Sequence, residues 1–557
     1  MWNPLRLVVL VVLVLSTLMA EAKGSGTKSD ALALHAFTLF VEGYSHQLNG
    51  VEPNGDCKDL DFLGKFTQNA KIVGLGESRH SAHEFLQMKR RMVECLVAHG
   101  FTDVLIEAGL PYTEKLNNYV KHGTGDVRKL VGGMAYWSLY DDDEFIGLLD
   151  WLRSYNARAK PGKVVNLLGI DMQDPRPGLE ATLAYFKTVD PSFRAEIAGR
   201  KASFSLYRST ANVVALTIAY KKLSDEQFRA LSGSLSLMER QLDKRRSEYI
   251  ARSSEGEYKW VREELATVLQ AHRVYSLTRE KTFKDLFEAR EQAMAQNLEW
   301  QVSNGGEGRR YILLSHNNHV AKAMVYGGVP GAKNHGFKPL GMIIARKWPG
   351  KYVALGASFY QASGHWQAWQ NDAQWMIPDA RPDSLDAVLA STGDKLFVVD
   401  LRSLAAGSPA GVWAKERHIL RSEGGITAVV PADAYDGLLF VRSLGQAHYT
   451  KAAIARFDAM GPPVPRTATV DRALLLKVQG DYRLPNKTVV EFRMMNDTLY
   501  ALWNQWKFRV FAKSDNEFAL RVEPAIAFKF ERTDDGSVKS MQIRRGEKDW
   551  QDTTRIE

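Results

Sequence analysis

Cysteine is almost missing: the 557 residues hold two, Cys57 and Cys95. That excludes a disulfide-dense scaffold and a zinc site built on thiolates. The pair could form one disulfide in an oxidising compartment or stay as two buried thiols, and the sequence is compatible with both. Long runs of one charge sign are also missing. The net charge of +9 is spread along the chain, without a long Lys/Arg tract. This reads as a solvated basic surface and argues against a nucleic-acid partner. Beyond the first residues, no apolar run is long enough to cross a bilayer. No Gly-x-Ser-x-Gly elbow and no phosphate-binding glycine loop occurs. A Ser or Cys nucleophile is therefore not indicated. Ser78 and Ser81 flank a histidine, but they do not form a readable triad.

What is present begins with Arg6, an apolar run from Leu7 to Val14, and the small-x-small triplet Ala20-Glu21-Ala22. Residues 1–22 have the form of a signal peptide cleaved after Ala22. The mature protein is expected to be periplasmic or secreted, with no stable membrane span. Residues 23–59 read as a linker and a helix. Strands and helices then alternate: IVGL at 72–75, a helix over 82–99, FTDVLIEAG, a helix from Asp143, and VVNLLGID ending at Asp171. That alternation predicts an α/β domain over 60–456, with a largely parallel sheet and helices on both faces. Strand signals vanish between about 180 and 302, where charged helical periodicity predicts a helical cap. RRYILLSHNNH, KYVALGASF, KLFVVDLRS and DGLLFVRSL resume the sheet. Residues 457–468 form a Pro-containing linker, and 469–557 alternate in short segments, predicting a small all-β, barrel-like module.

Four of the strands run into ionisable groups: Glu77, Glu107, Asp171 and His316. In parallel α/β sheets, ligands bind beyond the carboxyl ends of the strands. His80 lies one turn past Glu77, and His319 three residues past His316. A Glu and a His at a strand end can share a hydrogen bond. The carboxylate then orients an imidazole that could take a proton from water. Singly, each residue is more commonly a helix cap or a satisfied polar turn. Their joint placement makes them a candidate constellation.

The chain resembles the erythromycin esterase family. The resemblance rests on GLGESRHSAHEF at 74–85, DVLIEAG at 103–109, LLDWLRSYN at 148–156, GIDMQ at 169–173, REQAMAQNLEW at 290–300 and SHNNHVAK at 315–322, with later matches to about residue 445. It implies a hydrolase that adds water to a carboxylic ester or lactone, macrolides included. His80 would be the general base, completed by Glu77, Glu107 and His316. Asp171, His319, Lys89, Arg290 and Asn317 would lie around the substrate. Two departures stand out: Ser81 where the family usually has Gly, and Lys89 where it usually has Arg. The C-terminal stretch is similar to a lipocalin-like module appended to some exported bacterial hydrolases.

No cofactor is indicated by a clean motif. A second reading keeps Glu77, His80, Glu107 and His316 as ligands of a divalent metal in a hydrolase of peptide or amide bonds. A third is a non-catalytic protein that holds a polar ligand in the same cleft. Antibiotic detoxification outside the cytoplasm is a role compatible with the first.

Overall fold

The computed structural model describes residues 28–556, apart from 54, 135–136, 210–212, 281–282, 328–335, 363–365, 368–372, 376–378, 424, 461–467, 496, 504–505 and 522–524. The expected signal peptide and most of the expected linker at 457–468 lie outside the described residues.

Strands in the larger unit form because runs such as Ile72-Val73-Gly74-Leu75 are apolar on both faces and bounded by polar or glycine residues. The sheet strands are β1 (Ser45–Gln47), β2 (Ile72–Leu75), β3 (Asp103–Gly109), β4 (Asn166–Asp171), β5 (Tyr311–Leu314), β6 (Tyr352–Ala362) and β7 (Leu396–Asp400). A hairpin, β8 (His418–Ser422) and β9 (Gly425–Val429), lies in a separate small sheet, and β10 (Gly437–Leu444) returns to the main one. The eight-stranded order is β1-β7-β10-β6-β2-β5-β3-β4. Strands β6, β2, β5, β3 and β4 pair in parallel. β1 with β7, and β7 with β10, pair antiparallel. The sheet is thus mixed: largely parallel, as expected, with an antiparallel edge that the strand signals alone did not reveal.

Both faces are covered. One buries Ile72, Leu105, Leu313 and Phe440 against α1 (Lys28–Tyr44) and against Met294, Leu298 and Val302 of a long later helix. The alternate strand residues Ile106 and Leu314 turn to the other face, where they line a cavity with Leu86 of α2 (His83–Ala98) and with Phe145 and Leu148 of α3 (Asp143–Asn156). The later helix is α4 (Phe283–Asn304), which ends a helical stretch that starts at Arg176. Cys57 and Cys95 are disulfide-bonded with their Cα atoms 5.7 Å apart, tying α2 to the segment before β2.

A second unit comprises residues 361–379 and 449–557. It is a nearly closed antiparallel sheet around its own core, including Tyr482, Phe492, Trp503, Phe528 and Phe530.

Candidate active site

The strand order explains the site. β5 inserts between β2 and β3, so β2, β5, β3 and β4 lie side by side. Their carboxyl ends deliver Glu77, His316, Glu107 and Asp171 to one edge of the sheet. Glu107 sits in a register shift between Ile106 and Gly109. Such a bulge re-aims a side chain at the rim of a sheet.

His80 Nδ1 is 2.7 Å from Glu77 Oε1. The other oxygen, Glu77 Oε2, lies 2.8 Å from Lys89 Nζ. Lys89 also donates to the Ser315 carbonyl at 3.2 Å. It is buried beneath Glu77, so its charge acts on the carboxylate. Burial alone would raise the Glu77 pKa, but Lys89 and His80 together hold it down to about 2.

A deeper network surrounds Glu107. Arg290 Nη2 donates to Glu107 Oε1 and to Asp171 Oδ2, each at 2.7 Å. His319 Nε2 is 3.1 Å from Glu107 Oε1, and its Nδ1 is 2.6 Å from Glu291 Oε1. Ser315 Oγ donates to Glu107 Oε2 at 2.7 Å, and the Tyr140 hydroxyl donates to the Glu107 carbonyl at 3.0 Å. Burial opposes ionisation of Glu107, but the charges of His319 and Arg290 hold it well below the usual carboxylate range. His319 is pushed up to about 10, because Glu107 and Glu291 outweigh its burial. It is an imidazolium at neutral pH, fixed between two acids.

His316 is the opposite case. Its Nδ1 accepts the Asn318 backbone N–H at 3.1 Å. The neutral ring therefore carries its proton on Nε2. That nitrogen is buried, has no hydrogen-bond partner among the described residues, and lies 3.5 Å from Glu423 Oε1. Burial, then the charge of His80, lower His316 to about 4. It is an unspent neutral donor, with its ring 5.1 Å from that of His80.

Asn317 serves the framework. Its Nδ2 donates to the Ala357 carbonyl at 2.6 Å and its Oδ1 accepts the Ala357 N–H at 2.9 Å. Both halves of the amide are thus spent on β6.

Two functional groups escaped the sequence reading. Glu291, next to Arg290, also accepts the Leu340 N–H at 2.7 Å. Glu423, in the turn between β8 and β9, accepts the His80 N–H at 2.8 Å and lies 3.8 Å from His80 Nε2. It has a left-handed backbone, φ 52°. Residues in such conformations cluster at functional sites. The only sequence signal was the Ser-Glu-Gly-Gly turn between two apolar strands. Ser81 is also left-handed, φ 55°. That is a conformation glycine adopts without steric strain, and the serine holds it here.

Burial pushes the His80 pKa down. The charge of Glu423 and the hydrogen bond and charge of Glu77 overcome this and raise it to about 9. The Glu423 side chain is 43% exposed, so solvent screens its share. Among the described residues, Glu77, His80, Glu107 and His316 do not converge on a point that one ion could fill.

Comparison with known proteins agrees with this architecture. The erythromycin esterase family model matches residues 96–444, more than half of the chain. Erythromycin esterase type II of Escherichia coli is 24% identical over 335 residues, covering 56% of this chain and 74% of that protein. A putative hydrolase of Bacillus subtilis, YbfO, is 26% identical over 31% of this chain and 37% of its own. Among solved structures, a Bacillus cereus protein superposes with a TM-score of 0.61 at 21% identity, covering 75% of this chain and 99% of that one. A histidine-to-asparagine mutant of the erythromycin esterase EreC, in its open conformation, gives 0.57 at 18% identity, covering 70% and 95%. The chain belongs to the erythromycin esterase family, and is a hydrolase of that family.

Proposed function

We propose that this protein hydrolyses a carboxylic ester or lactone with His80 as general base. The observation that carries this is the pairing of His80, oriented by Glu77 at 2.7 Å, with the unspent Nε2–H of His316 beside it. His80 Nε2 takes a proton from water as its oxygen bonds to the carbonyl carbon. The Nε2–H of His316 donates to the oxyanion that forms. The ester C–O bond then breaks, and the imidazolium of His80 returns its proton to the leaving alkoxide. Lys89 keeps Glu77 ionised throughout. Arg290 and His319 hold Glu107, which fixes the loop carrying Ser315 and His316.

Macrolides are the substrate class suggested by the related enzymes' names. Export, and with it detoxification outside the cytoplasm, is supported by the N-terminal sequence and by the disulfide, a bond that persists in oxidising compartments. The test is mass spectrometry of the purified protein and His80→Ala with macrolides and simple esters. A gain of one water, lost in the variant, is expected. Turnover that survives in His80→Ala overturns the mechanism, and no turnover on any ester overturns the substrate class.

A further inference from the structure

Outside the active site, three chain segments bring His83, Glu144 and His448 together. His83 opens α2, Glu144 lies in the first turn of α3, and His448 follows β10. The Nδ1 atoms of both histidines lie 2.6 Å from the same oxygen, Glu144 Oε1. One donor atom from each of the three residues falls within 4.8 Å of the others. A tetrahedral zinc with bonds of about 2.0–2.1 Å spaces its donors roughly 3.3 Å apart. The two nitrogen–oxygen separations need therefore open by less than about 1 Å to admit an ion.

Three further observations favour an ion over a plain hydrogen-bond cluster. First, the second nitrogen of His83 lies 2.8 Å from Glu52 Oε1. This is the carboxylate–histidine arrangement that orients metal-binding imidazoles. Second, the backbone pins the exposed member. The His448 N–H donates to Glu144 Oε2 at 3.0 Å, and the His448 carbonyl accepts the Asp143 N–H at 2.9 Å. The imidazole is thus held over Glu144 although it is 67% exposed, which leaves a further position open to water. Third, Glu52 and Glu144 flank His83 on its two ring nitrogens, and among the described residues neither carboxylate pairs with a lysine or arginine.

The geometry points to a divalent transition-metal site of the zinc class, ligated by His83 Nδ1, Glu144 and His448 Nδ1, with Glu52 behind His83. Two imidazoles and one carboxylate suit Zn²⁺ rather than Mg²⁺ or Ca²⁺, which take oxygen ligands. The site would clamp the starts of α2 and α3 to the chain after β10. Glu144 also lines the cavity that Glu77 and His80 border, so an ion here would fix one wall of the active site.

The test uses the full chain, stripped with chelator and titrated calorimetrically with ZnCl₂, with Co²⁺ absorption as a ligand-sensitive second readout. One equivalent of Zn²⁺ is expected to bind, and to be lost in His448→Ala, an exposed substitution that leaves the core intact. Glu52→Gln should weaken it about 10- to 100-fold. His80→Ala should bind as the wild type does. Absence of binding to the wild-type protein, or binding that survives His448→Ala, overturns the site. Loss of binding in His80→Ala with retention in His448→Ala overturns it too, by moving the ion to the active site.

Discussion

A base must be neutral to accept a proton. An ordinary histidine meets that condition above about pH 6.5. His80, held by Glu77 and Glu423, is raised to about 9. The sign follows: kcat/KM should climb with pH through about 9 and level off above it. Glu423→Gln keeps an acceptor for the His80 N–H but removes the charge, so the limb should move to lower pH and activity at pH 7.5 should rise. Since Glu423 is partly exposed, high salt should move the wild-type limb the same way. Profiles from pH 6 to 10 decide this, and a limb near 6.5 in both proteins would sink the assignment. The strand-end residues Glu77, Glu107, Asp171 and His316 were legible in the sequence because each follows an apolar run that announces itself. Glu423 was not, because it lies 343 residues from His80 and in a hairpin turn without a motif. Protonation was illegible as well. His316 and His319 stand three apart, yet burial drives one down while two acids drive the other up.

At the scale of elements, the motif Gly-Leu-Gly-Glu carries a packing requirement along with its chemistry. A Cβ on Gly76 would stand 2.3 Å from Asn317 Oδ1 and 3.1 Å from the Leu355 carbonyl. Gly76→Ala would therefore displace the amide that clamps Ala357 of β6, and with it the loop holding His316. A loss of about 2–3 kcal/mol is expected from overpacking and a broken buried hydrogen bond. Thermal unfolding measures it; an unchanged midpoint would mean that the clamp is dispensable. The disulfide acts on a different element pair. It closes a separation of 38 residues. Cys57→Ser with Cys95→Ser should cost about 2–4 kcal/mol, read as a lower denaturant midpoint, and reductant should destabilise the wild type equally. Its existence could not be read from two isolated cysteines, since pairing depends on how α2 packs beside residue 57. Parallel strands were easier, because full burial makes them continuous apolar runs. The antiparallel edge was harder, because β7 and β10 show the same apolar signature in either direction.

At the scale of the whole molecule, the all-β unit is not a plain C-terminal appendage. Alternation in the sequence predicted its strands within 469–557, but not the contribution from the middle of the chain. Residues Ala373–Trp375 pair antiparallel with Trp506–Phe508. The same long strand, Trp506–Ala512, then turns its second half, Val510–Ala512, to Glu517–Leu520. Among the described residues, the neighbour at 517–520 covers only Val510–Ala512, and the inserted segment pairs with the other half of the strand. Without it, one side of Trp506–Phe508 has no partner among the described residues, while the other keeps its pairing with Ala501–Trp503. Free edges recruit other strands. A fragment of residues 449–557 retains the aromatic core, so it should fold, but it should self-associate through that edge. Joining residues 361–379 to the fragment by a flexible linker should restore a monomer and slow amide exchange at Trp506–Phe508. Size-exclusion chromatography with light scattering compares the two. A fragment that stays monomeric at high concentration, with those amides already protected, would show that the module closes on its own and that the inserted strand has some other purpose.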